Sequence, residues 1–146
     1  MTVERMDHVG IVVDDLDAAT AFFVELGLEA SSQASIEGDW VGRIIGLEGA
    51  VHTDVVFVQT PDSHSRLELI KFHTPPGTDG DSNAPSNAFG IRHLTFAVDD
   101  LDDVLARLRA HGARLVGDVE RYEDMFRLCY IRGPEGIIVE LAERIG

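Results

Sequence analysis

The sequence predicts an α+β fold built from two tandem βαβββ modules, and three observations lead there. Residues 6–17 are echoed at 91–102, an offset of 85, with six of twelve positions identical: His8 with His93, Val13 with Val98, and the Asp-Asp-Leu-Asp runs at 14–17 and 99–102. Such internal similarity is the signature of a repeated supersecondary unit. Both copies pass from a β-branched or apolar run into Asp-Asp and then into helical spacing. A stretch rich in proline and glycine separates them.

Taken in order, residues 8–13 read as the opening strand and 93–98 as its echo. Asp14, Asp15, Asp99 and Asp100 follow, with carboxylates suited to the free N–H groups of a helix start. Leu16, Ala19, Phe23 and Leu26 then keep one face of a first helix, and Leu101, Val104, Leu105 and Leu108 one face of a second. Asp103 and Arg107 stand four apart on the solvated side of that second helix. Gly27 and Gly112 fall where a helix ends in a left-handed residue. Shorter strand-like runs follow at 28–36, 51–60 and 65–73, and again at 113–121, 125–132 and 137–143. Residues 40–47 read as a short helix or a loop, and Gly133-Pro-Glu-Gly136 as a turn. Residues 74–87 hold Pro75, Pro76, Pro85, Gly77 and Gly80. The expected organisation is a first module over 1–73, a linker over 74–89 and a second module over 90–146.

Composition narrows the function. The chain has 146 residues, 45% hydrophobic and 26% charged, which is one domain's worth with enough apolar side chains for a core. No apolar run approaches the roughly 18 residues of a membrane span. The opening residues lack a basic-then-apolar secretion signal, so a cytoplasmic location is expected. The net charge is −14, and Lys71 is the single lysine. A field of that sign repels phosphate backbones and anionic lipid, so no nucleic-acid or membrane partner is expected. Cys129 is the single cysteine; it reads as a small packed residue and excludes both an internal disulfide and a Cys-x-x-Cys site. There is no Gly-x-Ser-x-Gly elbow, Gly-x-Gly-x-x-Gly fingerprint or P-loop.

Strand parity gives the candidate site. In the opening strand Val9, Ile11 and Val13 share one face while His8, Gly10 and Val12 share the other. In its echo Leu94, Phe96 and Val98 oppose His93, Thr95 and Ala97. The bulky faces seat the helices, and the histidines fall on the opposite face beside small residues. Glu68 in Leu67-Glu-Leu69 and Glu140 in Val139-Glu-Leu141 likewise interrupt apolar strands and project away from their neighbours. These echoes lie 72 apart, so the first module is thirteen residues longer between its histidine and its glutamate. If each sheet curls with its helix-free face inward, the helices stand on the convex face of a cup. His8, Glu68, His93 and Glu140 then converge as a nitrogen and oxygen site suited to Zn, Ni, Co, Mn or Fe(II).

These residues carry a resemblance. His8-Val-Gly-Ile-Val-Val-Asp-Asp-Leu-Asp17, Gly27-Leu28, Leu67-Glu-Leu69, Arg92-His-Leu-Thr-Phe-Ala-Val-Asp-Asp-Leu-Asp102, Gly112 and Val139-Glu-Leu141 are similar to the vicinal oxygen chelate superfamily. That group holds glyoxalase I, methylmalonyl-CoA epimerase, extradiol dioxygenases, and fosfomycin and bleomycin resistance proteins. The resemblance implies paired modules forming a cupped mixed sheet around one divalent metal, with His8, Glu68, His93 and Glu140 as ligands. It further implies a small-molecule substrate, a homodimer in which modules can be exchanged between chains, and glyoxalase- or epimerase-like chemistry. In that reaction a proton leaves carbon next to a carbonyl through a metal-bound enolate or enediolate, with Glu140 the first candidate base and Glu68 the second. Epimerases typically carry His-His at the third ligand and often glutamine at the second, whereas here the pairs are Arg92-His93 and Leu67-Glu68. Two alternatives stay open. An extradiol Fe(II) dioxygenase would need only His8, His93 and Glu140, and a bleomycin-resistance-like binding protein would need no metal. His52, His64, His73 and His111 have no echo and are expected at the surface or on a pocket wall. Arg121, Arg127 and Arg132 are the available anion-binding candidates, with ordinary surface charge as the default. Trp40, Tyr122, Phe126 and Tyr130 can line a pocket, with core packing as the default for aromatics in strands.

Overall fold

A computed structural model describes residues 2–146 and divides them into two compact units, one running through Asp79 and the other Gly80–Gly146. The first contains β1 (Val9–Val12), α1 (Leu16–Leu26), β2 (Glu29–Ala30), β3 (Ala34–Gly38), α2 (Asp39–Ile45), β4 (Val51–Gln59) and β5 (Arg66–Thr74). The second contains β6 (His93–Val98), α3 (Leu101–Arg109), β7 (Arg114–Leu115), β8 (Glu120–Tyr122), β9 (Phe126–Arg132), a 3₁₀ turn at Pro134–Gly136 and β10 (Ile138–Arg144). The architecture is α+β, with one mixed five-stranded sheet in each unit.

The two sheets share one plan. In the first the order is β1-β5-β4-β2, with β3 also on β4; in the second it is β6-β10-β9-β7, with β8 also on β9. The opening strand of each unit is an outer strand that pairs in parallel with the last, β1 on β5 and β6 on β10, and the other pairings are antiparallel. The runs at 28–36 and 113–121 each break into two short strands. A parallel return needs a crossover, which the helix after each opening strand supplies.

Local chemistry explains the helices. The Asp15 carboxylate accepts from the Ala18 backbone N–H at 2.9 Å, and Asp100 accepts from Asp103 at 3.1 Å, so the second aspartate of each Asp-Asp is the N-cap. Asp14 instead accepts from Lys71 Nζ at 2.9 Å. Gly27, at φ 124°, closes α1 by donating to Phe23 O and Val24 O. Arg107 Nε meets Asp103 at 2.9 Å, the pair that helical spacing anticipates. Residues 40–47 resolve as α2, which ends at a left-handed Gly46.

Phe22, Phe23, Val51, Val58 and Leu69 are fully buried in the first unit, as are Leu101, Val104, Leu108, Ile131, Val139 and Leu141 in the second. Burying each such side chain is worth about 1.5–3 kcal/mol. Ile11 is buried and Val9 half-buried while Gly10 and Val12 are exposed, and Leu94, Phe96 and Val98 are more buried than His93, Thr95 and Ala97. Residues of the 80s are tied to the second unit. Arg132 donates to Ala84 O at 2.9 Å and to Gly136 O at 3.0 Å, and Arg114 donates to Asn83 Oδ1 at 3.2 Å. A side chain at Gly136, which has φ +74°, would run into the Ser82 carbonyl.

Candidate metal centre

In the first unit the β1–β5 register sets Gly10 beside Glu68, and His8 lies on the same face. His8 Nε2 stands 3.8 Å from Glu68 Oε1. The other ring nitrogen, Nδ1, lies 2.7 Å from Asp7 Oδ2. Asp7 also accepts from Arg66 at 2.8 Å and from Arg5 at 3.0 Å, and these donors, His8 foremost, hold its carboxyl far below the usual range. An ionised Asp7 favours the tautomer with Nδ1–H donating to it, which aims the Nε2 lone pair toward Glu68. The Phe57 ring meets the His8 ring edge-on at 5.4 Å, and the Arg66 guanidinium lies 4.4 Å over Phe57. The imidazole is thus fixed on two sides.

The second unit repeats the arrangement with different supports. His93 Nε2 is 3.6 Å from Glu140 Oε1. Thr95, opposite Glu140 in the β6–β10 register, donates its hydroxyl to the same Oε1 at 2.7 Å. Tyr130 Oη is 3.4 Å from His93 Nδ1, with ring centroids 5.0 Å apart. Glu140 and Tyr130 also line an open cavity of about 370 Å³ walled by Val116, Gly117 and Leu128. Each unit therefore presents one imidazole nitrogen and one carboxylate, oriented by a neighbouring hydrogen-bonding side chain. That donor chemistry fits a borderline divalent ion better than calcium, which prefers oxygen alone.

Several residues take places that the sequence did not signal. Tyr130 stands beside His93 rather than in the core, while Trp40 and Tyr122 are exposed. The three arginines considered for anions are engaged within the protein: Arg127 with Asp102 and Glu143, Arg132 with two carbonyls, and Arg121 with Asp124. Cys129 is buried, and burial pushes its thiol pKa up, away from nucleophilic use. His52 and His73 gather around Asp54, all three ligand atoms lying within 4.8 Å of one another. Neither histidine has an echo in the second module, so the repeat held no signal for them.

Comparison with known proteins agrees with this architecture. A glyoxalase family protein from Bacillus cereus, solved by crystallography, is 47% identical over all of this chain and 97% of its own, with a TM-score of 0.94. YaeR of Escherichia coli K12, described as uncharacterized, is 27% identical over 97% of this chain and 98% of its own length. The fosfomycin resistance protein FosX of Listeria monocytogenes, solved as a mutant complexed with Mn(II) and 1S,2S-dihydroxypropylphosphonic acid, shares the fold at a TM-score of 0.62. It is 16% identical, over 99% of this chain and 92% of its own. Residues 5–141 match the profile of one family, and with the duplicated sheets they place the chain in the Glyoxalase/Bleomycin resistance protein/Dioxygenase superfamily.

Proposed function

We propose that this chain is a divalent-metal-dependent enzyme of glyoxalase or epimerase type, moving a proton on carbon next to a carbonyl. The observation that carries the reading is the duplicated His–Glu pair, at 3.8 Å in one unit and 3.6 Å in the other. His8, Glu68, His93 and Glu140 would hold the ion, with one pair from each module, in one chain or shared between two copies. The ion, one of Zn, Ni, Co, Mn or Fe(II), supplies Lewis-acid stabilisation of the oxyanion that develops as the proton leaves. Glu140 takes that proton, while Thr95 keeps one of its oxygens fixed by donating to Oε1. Glu68 is the second candidate base, and two carboxylates on opposite sides of one carbon would suit an epimerisation. The apolar side chains of Val116 and Leu128 beside Glu140 would seat part of a small-molecule substrate in this open cavity.

Deuterium wash-in from solvent, followed by NMR over a panel of thioesters and α-hydroxyketones, tests the reaction. Glu140→Gln should slow exchange about 10²–10⁴-fold with the fold intact. Full exchange in that variant removes Glu140 from the base role. Glu68 standing against His8 supports the four-ligand arrangement over an extradiol pattern that leaves this carboxylate aside. The apolar cavity wall favours one second reading, a non-enzymatic protein that sequesters an apolar ligand. The difference in bound metal between wild type and His8→Ala/His93→Ala after reconstitution separates them, since a difference below about 0.1 metal per chain contradicts a site of this donor set.

A further inference from the structure

We propose that His52, Asp54 and His73 form a second divalent-metal site, separate from the His–Glu pairs and selective for a borderline ion such as Zn(II). His73 Nε2 lies 2.7 Å from Asp54 Oδ2 and His52 Nε2 lies 3.9 Å from Asp54 Oδ1. These separations bracket the about 3.3 Å expected between neighbouring ligands on bonds of about 2.0–2.1 Å. The imidazole centroids are 4.8 Å apart and tilted by 34°, so small side-chain rotations bring both rings onto one ion.

The backbone explains the meeting. Thr53 pairs with Phe72 but His52 pairs with Thr74, so the ladder slips by one residue and leaves His73 as the extra one. Bulges of this kind re-aim side chains near binding sites. Asp54 sits opposite Lys71 in the ladder, on the face of Val56 and Leu69, whereas Glu68 sits opposite Phe57 on the other face. The triad and the His8–Glu68 pair therefore lie on opposite faces of one sheet. Ser35 donates its hydroxyl to Asp54, orienting the carboxylate as an outer-shell partner does in metal sites. Asp54 is the least exposed member, at 17%, while each histidine is 38% exposed and within reach of an incoming ion. A cavity of about 340 Å³ opens beside the triad, lined by Asp14, Gln33, Asp54, Lys71 and His73, with room for water or a small oxygen ligand. Two imidazoles and one carboxylate are a three-ligand set that leaves coordination positions open, and the mixed donors disfavour calcium and magnesium.

Equilibrium dialysis of the full chain against Zn(II) tests the proposal. The double variant His52→Gln/His73→Gln should lose one zinc per chain, whereas His8→Ala/His93→Ala should keep that zinc. Stoichiometry unchanged by the first variant overturns the proposal. If the His–Glu pairs bind nothing, the wild type holds one zinc that only the first variant removes, so the two metal readings fail separately. A second measurement uses the wild type and does not depend on a variant folding. With Zn(II) at ten times its dissociation constant, diethyl pyrocarbonate should modify His52 and His73 about tenfold more slowly. His64, 83% exposed, should react as before. Unprotected His52 and His73 would sink the site.

Discussion

Thr95 shows how much one hydroxyl can decide. It donates to the Glu140 oxygen that also faces His93, which restrains the carboxylate on the strand face of the proposed centre. Thr95→Val keeps the β-branched shape and removes the donor. Loss of an outer-shell partner should weaken metal binding about 10-fold, with stability changed by about 1 kcal/mol. Metal titration alongside urea unfolding separates the two effects, and unchanged affinity would show that Thr95 does not position Glu140. The His8–Glu68 and His93–Glu140 pairings were legible because each residue has an echo at fixed strand parity, the histidines where a strand opens and the glutamates inside apolar strands. Thr95 and Tyr130 were not, since their roles follow from cross-strand register, which no single strand records. Asp54 and its two histidines were hidden for another reason: a register slip, rather than a pattern, brings them together.

At the level of elements, α3 is fastened to its sheet by charge. Arg127 on β9 donates from Nη1 and Nη2 to the two Asp102 oxygens, both at 3.0 Å, while Glu143 on β10 accepts from the Leu101 backbone N–H at 3.1 Å. The Arg127 hydrogen bonds hold Asp102 below its ordinary pKa. A depressed folded-state pKa contributes stability that is present above the unfolded value of about 3.9 and lost as pH falls through the folded value. Urea midpoints of wild type and Asp102→Asn should therefore differ most at neutral pH and converge in acid; curves that stay parallel would contradict the linkage. Gly136 poses a steric case. Gly136→Ala pushes a methyl against the Ser82 carbonyl at a left-handed φ, and should destabilise the second unit by about 1–3 kcal/mol. Faster proteolytic nicking within 80–88 should accompany it. Helix starts and ends were legible from Asp-Asp and Gly27 because capping is local chemistry. The packing of the 80s onto the second unit was not, because Arg132 reaching Ala84 is a contact across 48 positions.

For the whole molecule, apolar side chains in solvent are the notable feature. Phe89 is fully exposed, Ile91 is 83% exposed and Met6 77%, all close to the two opening strands in sequence. Both opening strands are outer strands of their sheets, and open edges with apolar flanks invite pairing. We propose that the protein works as a homodimer, and a monomeric mass by light scattering at micromolar concentration would refute it. Mixing His8→Ala with Glu140→Ala chains reads the ownership of the site. Activity returns if His8 and Glu140 of one site come from different chains, because one site in the mixed dimer then regains all four ligands. It stays lost if each chain builds its own site. Among the described residues, no helix is long and apolar enough to cross a membrane.

The parallel pairing of first and last strands also sets a timetable for synthesis. A ribosome releases His8 sixty residues before Glu68, and His93 forty-seven residues before Glu140. Neither imidazole meets its carboxylate until β5 or β10 has emerged and docked beside the opening strand. Until its closing strand has docked, each module therefore offers the proposed centre only a lone histidine, which holds an ion weakly. The pairs on which the proposed centre depends come into being with the closing strand of each half, so metal capture would mark a finished module rather than guide its assembly.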